Sequence, residues 1–531
     1  MKHLGSLLLA LCLALPARAA LDAAQLAGFA GDFSSRIAAI EALGVDGSPD
    51  ARRVLDALEA GNLGVAGERV VVVEGETVLD AASGEALPDV AAKNVDTLTV
   101  NNRIRRALAS ANAAFALTTG DAAERLRAAN TLRDVASPAL LPLFERALAN
   151  EKDEAVRAVL TLAAARVNLA SDEPALRRKA VEDLGASSDP EVRNMLAGLT
   201  AKTETGAWVE ADAGVREAAH ASLRAIDRRI GLAQATGTVF TGLSLGSILL
   251  LAALGLAITY GVMGVINMAH GELLMIGAYS TFTVQTLFRA YLPQWLDFYV
   301  VAAIPVAFFV AALVGVAMER LVLRHLYGRP LESLLATWGL SLVLIQSIRV
   351  SFGPQNMELA NPTWMSGGIE LAAGVVLPFN RIVIVFFAAF VLALLWLMMQ
   401  KTRLGMFVRA VTQNRPMAGC VGVPTARVDT LAFAIGSGVA GLGGVALSQI
   451  GNVGPEMGQG YIVDAFMVVV LGGVGQLAGA VCAALGLGIV TKFIEGWAGA
   501  VIAKILVLLF IIVFIQKRPQ GIFALKGRAS D

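Results

Sequence analysis

Three polar side chains, Asn267, His270 and Glu272, lie within six positions of one another inside the apolar stretch Gly255 to Tyr279. An amide, an imidazole and a carboxylate supply both hydrogen-bond donors and acceptors. An ionisable group at membrane depth costs several kcal/mol on insertion scales, about 2.5–3.5 kcal/mol at a helix centre, so such groups face a protein-lined path or a partner helix. Both readings stand at this stage: a polar path through a membrane, with Tyr260, Tyr279 and Thr337 as further candidates, or polar contacts that only hold helices together.

The elements that must position these groups follow from composition. Hydrophobic residues make up 56% of 531 residues and charged residues 16%, too apolar a balance for a soluble chain. Charges are dense before about residue 230 and confined to short segments after it. Apolar runs at 239–260, 262–288, 298–323, 333–352, 381–400, 428–450, 461–490 and 500–516 each suit about 20 residues per crossing. The expected fold class is therefore all-α: a polytopic membrane protein of eight crossings. The glycine-broken seventh run leaves nine open.

The chain begins with Lys2, an apolar core and Ala17-Arg18-Ala19, the pattern of a cleaved secretory leader over residues 1–19, with an uncleaved anchor helix as the alternative. Residues 20–230 are then exported, residues 237–516 form the membrane domain and 517–531 a cytoplasmic tail. In the exported half, Arg69 to Asp80 reads as two β-rich runs around a Glu-Gly-Glu turn. Beyond it, Asp153, Asp189 and Asp212 each open an Asp-x-x-Val-Arg copy, and Asp172 opens a looser one. An acidic N-cap followed by an inward valine, recurring at this scale, suggests HEAT-like helical pairs that present a surface. His220 is the only histidine of residues 20–230, and no nucleophile-elbow motif accompanies the scattered Ser and Asp residues.

Short loops carry the orientation signal. Arg320, Arg324 and Arg329, then Lys401, Arg403, Arg409, Arg415 and Arg427, then Lys517, Arg518, Lys526 and Arg528 mark the cytoplasmic side. The loop 353–380 has Glu358 and Glu370 without Lys or Arg, and 451–460 has Glu456. Formal net charge is zero, which gives no support to nucleic-acid binding. Cys12, Cys420 and Cys482 are too dispersed for a disulfide framework or a thiolate zinc site, and nothing calls for a catalytic set, a metal or a cofactor.

The basic segment T-x-L-G-x-x-x-R-A-x-x-x-N-x-x-x-A-x-x-x-G contains Arg403, Leu404, Gly405, Arg409, Ala410, Asn414, Ala418 and Gly422. It resembles the ATPase-coupling segment of ABC importer permeases of the branched-chain amino acid class. The stretch Tyr260 to Tyr279 is similar to that family's hallmark, and Arg518-Pro519-Gln520-Gly521-Ile522-Phe523 to its ending. A leader and an exported helical half ahead of this module resemble the B-type permease subunit of urea ABC transporters, as do Asn101 to Arg106 and Asp80 to Glu85. The resemblance implies a bacterial inner-membrane subunit with an external N-terminal domain and a cytoplasmic C-terminus. It implies as partners a second permease subunit, two cytoplasmic ABC ATPases, a periplasmic solute-binding protein and a small neutral solute, urea. No Walker sequence occurs in the chain, so ATP hydrolysis falls to other subunits. The alternatives are a branched-chain amino acid or short-chain amide importer, an ion-coupled secondary transporter or channel, or an exported receptor merely anchored in the membrane.

Overall fold

The Asp-x-x-Val-Arg copies fold by the local chemistry their residues suggest. Asp153 accepts from the backbone N–H of Ala155 and Val156 at 3.0 and 3.2 Å, Asp189 from Glu191 at 2.8 Å, and Asp212 from Val215 at 2.9 Å. Each satisfies an orphan donor of a helix first turn, a bond worth about 1 kcal/mol. Val156, Val192 and Val215 are buried. The arginine four residues on reaches back: Arg157 donates to the carbonyls of Leu148 and Glu151, and Arg216 to those of Glu210 and Ala211. In the looser copy, Arg177 donates to Ser171 and Asp172 and forks onto Glu210 at 3.0 and 2.8 Å.

The computed structural model describes residues 21, 23–67, 69–372 and 375–523. The expected leader, Lys526 and Arg528 lie outside these residues. The chain divides into two compact units at residues 229 and 230. The first contains α1 (Phe33–Asp46), α2 (Pro49–Glu59), β1 (Leu63–Ala66), β2 (Arg69–Glu74), β3 (Thr77–Asp80) and β4 (Asp96–Thr97). It continues with α3 (Asn102–Thr119), α4 (Ala122–Asp134), α5 (Leu141–Asn150), α6 (Glu154–Asn168), α7 (Pro174–Leu184) and α8 (Pro190–Leu199). The strands pair antiparallel in the order β3-β2-β1-β4, so the all-α expectation is amended here. The β-branched run Val70 to Val73 prefers a pleated, half-buried surface. Gly75, at φ +65°, turns it back as the two runs predict. Phe29, Ile40, Leu43, Leu55, Leu63 and Ile104 fill the core against this sheet.

α9 (Ala213–Met263) enters the second unit, where its apolar part is followed by α10 (His270–Tyr291), α11 (Tyr299–Leu321), α12 (Pro330–Phe352) and α13 (Phe379–Lys401). Then come α14 (Arg403–Gln413), α15 (Arg415–Cys420), α16 (Thr425–Ser448), α17 (Met457–Gly472), α18 (Leu477–Ala498) and α19 (Ala500–Lys517). A two-stranded hairpin, β5 (Gly368–Ala372) and β6 (Val375–Pro378), lies in the loop before α13. Seven helices among the described residues are long and apolar enough to cross a membrane.

Eight expected runs map onto this unevenly. The second, 262–288, breaks at residues 264–269 and resumes as α10, whose polar residues keep it out of the seven although its first turns are buried. The seventh, 461–490, breaks at residues 473–476 into the 16-residue α17 and the longer α18. Eight alternating crossings return a chain to the side on which it started, so eight cannot place the two termini on opposite faces as expected above. Counting α10 with α17 and α18 separately makes nine apolar helices, and the parity that orientation requires.

The turn between α17 and α18 is held by the tail. Ile522 N–H donates to the Leu471 carbonyl at 2.8 Å and Phe523 N–H to that of Gly472 at 3.3 Å, satisfying carbonyls that the end of α17 leaves free. Gly473, at φ +100°, has no room for a Cβ beside the Phe523 carbonyl.

In the first unit, Arg125 grips Glu151 through Nε and Nη2 at 2.8 and 3.0 Å, and this holds the glutamate carboxyl down to about 2. A lowered carboxylate contributes stability that is present above its ordinary value near 4.5 and is lost as pH falls toward 2. In the detergent-solubilised full chain, Arg125→Ala should make the first unit more protease-sensitive at pH 7. The difference from wild type should shrink as pH is lowered through 4 to 2.5.

Candidate functional site

α9 stops at Met263 because Gly264 adopts φ +66°, a left-handed conformation that costs other residues about 1–2 kcal/mol. Residues 264–269 then run without regular structure inside the packed unit, and α10 starts at His270. Backbone groups freed in an apolar interior cost several kcal/mol each unless something bonds them. Asn267 accepts from the N–H of Ala269 at 3.0 Å through Oδ1. Thr337, on α12, accepts from the N–H of Met268 at 3.1 Å and is itself held at 2.8 Å from the Ser333 carbonyl. One amide and one hydroxyl thus stabilise the break.

One turn further along α12, the Ser341 hydroxyl donates to Glu272 Oε1 at 2.7 Å. Asn267, Glu272, Thr337 and Ser341 are all buried. The structure therefore brings three of the expected residues together around the break and adds Ser341. The i, i+4 spacing of Thr337 and Ser341 in an apolar run is the signal that could have found it.

His270 points elsewhere. Its Nε2 lies 2.9 Å from the carbonyl of Ala252 on α9; a carbonyl only accepts, so Nε2 carries the proton. Tyr279 stands farther along α10 with its ring 4.8 Å from that of Phe352. Tyr260 is half-buried, and its carbonyl accepts from Gly264 N–H at 2.9 Å. Among the described residues ten buried side-chain atoms have no partner, and four of them belong to expected path residues: Asn267 Nδ2 and Tyr279 Oη, and the acceptors His270 Nδ1 and Glu272 Oε2. Unpaired buried polar atoms are uncommon; the other six, Asn112 Oδ1, Ser137 Oγ, Arg229 Nε, Ser244 Oγ, Arg349 Nε and Ser437 Oγ, lie outside the expected set.

Glycine contacts hold α10 centrally. Gly277 backs onto Gly441 and Gly444 onto Leu274, while Gly255 of α9 meets Gly436 of α16. No side chain separates the backbones there, the close approach typical of helices packed in lipid. At one end of the unit, Gln285 and Tyr299 both donate to the Ala360 carbonyl, at 2.8 and 3.0 Å. Met357 and Val453 exchange backbone bonds at 2.7 and 2.8 Å, so the segment after α12 is strapped across the helix ends.

The opposite end carries the basic segment as two short helices. Arg403, Arg409, Asn414 and Gly422 are exposed, Leu404 and Ala410 half-buried against the bundle, and Gly405 and Ala418 buried. Thr402 caps α14, and Asn414 caps α15 by accepting from Met417 N–H at 3.0 Å. The outward face instead shows Met406, Met417 and Val421, all more than half exposed. Beneath α14 lies a cavity of about 570 Å³ lined by Ile258, Val262, Trp396, Arg409, Thr412 and Gln476.

Residues 238–515 match the family model described as branched-chain amino acid transport system / permease component. The chain is 31% identical over 287 residues to the high-affinity branched-chain amino acid transport system permease protein BraD of Pseudomonas aeruginosa, covering 53% of this chain and 93% of that protein. It is 30% identical over 292 residues to the permease LivH of Escherichia coli K12, covering 54% and 94%. The ribose import permease RbsC of Escherichia coli K12 is 25% identical over 235 residues, covering 41% and 69%. No solved structure matches.

Gly277→Val places a branched side chain against the backbone of Gly441 and should prevent a folded, monodisperse protein in detergent size-exclusion chromatography. Ser341→Ala, which removes only a hydroxyl, should elute as wild type.

Proposed function

Because this chain belongs to the branched-chain amino acid permease family of ABC importers and is a non-enzymatic transport subunit, we propose that its own solute is urea. In this reading it works with a second permease subunit, two cytoplasmic ABC ATPases and a periplasmic solute-binding protein. The observation that favours urea over an amino acid is the chemistry around the helix break. Asn267, Thr337, Ser341 and Glu272 offer amide, hydroxyl and carboxylate groups. No Lys or Arg occurs between residues 230 and 288 to receive the carboxylate of a zwitterion. Urea has two NH2 donors and one carbonyl acceptor; the unpaired Glu272 Oε2 can accept from the former and the unpaired Asn267 Nδ2 can donate to the latter.

The second reading, a branched-chain amino acid importer, rests on the names of BraD and LivH. Those relatives cover only about half of this chain, so they bear on its membrane half. The first unit, with its tandem capped helices, is read as a HEAT-like surface that docks or orients the solute-binding protein and does not bind solute itself. Arg403 to Gly422 is read as the ATPase-coupling segment. Gly405 and Ala418 seat it on the bundle, while Met406, Arg409, Met417 and Val421 face the ATPase.

Orientation follows from the basic segments, with the first unit periplasmic and Lys517-Arg518 cytoplasmic. Reporter fusions within 353–366 should be periplasmic, and those at 324–329 and 405–420 cytoplasmic. A cytoplasmic first unit would overturn this arrangement.

Uptake by cells expressing the whole importer decides the solute. Labelled urea should accumulate in an ATP-dependent way and resist competition by excess leucine. Asn267→Leu or Glu272→Leu should lower urea uptake at least tenfold while the complex still co-purifies. Leucine uptake without urea uptake would replace the solute reading and leave the permease assignment standing. Met417→Glu with Val421→Glu should reduce co-purification of the ATPases several-fold without changing the amount of inserted permease.

A further inference from the structure

The end of the unit that carries α14 and α15 holds a polar network in which only Arg415 belongs to the basic segment. Arg415, the first residue of α15, forks onto Asp429 of α16 at 2.9 and 2.7 Å. The Asp429 side chain is only 1% exposed, so the fork fixes the helix in one orientation rather than decorating a surface. The same guanidinium lies over the ring of Tyr327, 5.5 Å from its centroid. Tyr327 sits in the connection between α11 and α12, and its hydroxyl donates to Glu319 of α11 at 2.7 Å. The second oxygen of that buried carboxylate accepts from Thr430 of α16 at 2.8 Å. The Tyr327 hydroxyl also lies 3.3 Å from Sδ of Met263, the last residue of α9. Met263 immediately precedes Gly264, where the helix breaks.

Building on the importer reading above, we propose that Arg415, Tyr327 and Glu319 form the linkage through which movement of α15 reaches the helix break at residues 264–269, and that Arg415 and Tyr327 are positioning residues for transport. A bidentate fork does not tolerate rotation of one partner. Tilting α15 must therefore either carry the end of α16 with it or displace Tyr327. Displacing Tyr327 acts directly on Met263, one residue from the left-handed hinge and four from Asn267. Every member is a specific contact between separate elements, so the route is a continuous physical one. Two side chains set its sensitivity: the guanidinium, which lysine cannot mimic because it lacks the planar fork, and the phenol, whose ring without the hydroxyl keeps nearly all of the packing.

Two measurements test this. The first needs no transport: hydrogen exchange of the purified full chain in detergent. Tyr327→Phe should speed exchange of the Met268 and Ala269 amides at least fivefold while amides in the middle of α16 stay at wild-type rates. Unchanged exchange at 268–269 overturns the linkage, and faster exchange throughout the unit makes it mere packing, which also overturns it. The second uses the whole importer in proteoliposomes with labelled urea and labelled leucine as probes. Tyr327→Phe should lower solute moved per ATP hydrolysed at least tenfold, Arg415→Lys should fall between it and wild type, and Arg415→Asp combined with Asp429→Arg should recover part of the Arg415→Asp loss. A ratio within twofold of wild type for Tyr327→Phe overturns the proposal. Absence of ATP-dependent uptake in the wild type counts against the importer reading instead, and the exchange result still decides the linkage.

Discussion

An unwound stretch of backbone inside an apolar helix bundle is tolerated only where each freed N–H and C=O finds a partner. The architecture around residues 264–269 follows from that demand. Gly264 supplies the left-handed turn, Asn267 folds its own amide back onto the chain, and Thr337 reaches across from α12 to receive Met268 N–H. α12 must lie beside the break for this to work, and once it does, Ser341 falls in place to bond Glu272. A structural necessity thereby gathers donors and acceptors at one place in the apolar interior. The same groups that repair the backbone retain spare capacity, since Asn267 Nδ2 and Glu272 Oε2 have no partner.

Holding a polar cluster at depth requires that the helices around it approach without gaps. Lipid tails are as apolar as leucine, so burial of side chains contributes little driving force and van der Waals contact dominates. Gly255, Gly277, Gly436, Gly441 and Gly444 meet this requirement by letting backbones touch. α10 packs against α9, α11, α16 and α17, and His270 and Glu272 in its first turn are buried in protein, while Thr283, Thr286 and Arg289 farther along are exposed. These polar residues are also why α10 fails a hydropathy criterion for spanning.

The two ends of the bundle are closed by different chemistry. At one, the segment after α12 is pinned by neutral hydrogen bonds, from Gln285 and Tyr299 to the Ala360 carbonyl and between the backbones of Met357 and Val453. At the other, Arg415 of α15 forks onto Asp429 of α16, and Tyr327 and Thr430 both donate to Glu319 of α11. Asp429 is buried while Arg415 is partly exposed, so removing the guanidinium would leave a buried carboxylate without its charged partner. The basic end is thus built to move as a unit with α15.

Many elements of both units were legible without coordinates because their signals are local. Runs of about 20 apolar residues, the basic loops, the Asp-capped helices and the Glu-Gly-Glu hairpin each depend on residues near in sequence, and the polar trio Asn267, His270 and Glu272 stood out by contrast with its surroundings. The glycines of the seventh run announced the break at 473–476, whereas the one at 264–269 fell inside the second run, since hydropathy averages over a turn that one glycine dihedral decides. The same chemistry did not separate the trio: His270 turns toward Ala252 and Glu272 toward Ser341, a difference of helical phase that depends on which neighbour lies on each side. The partners of Met268 and Glu272 on α12, the seating of Ala418 and the Arg415–Tyr327–Glu319 network join residues roughly 70 to 110 positions apart or cross between separate elements. Sequence determined which residues had to be satisfied; only the tertiary packing decided by whom, because a hydrogen bond between distant segments is a property of their relative placement and leaves no periodicity along the chain.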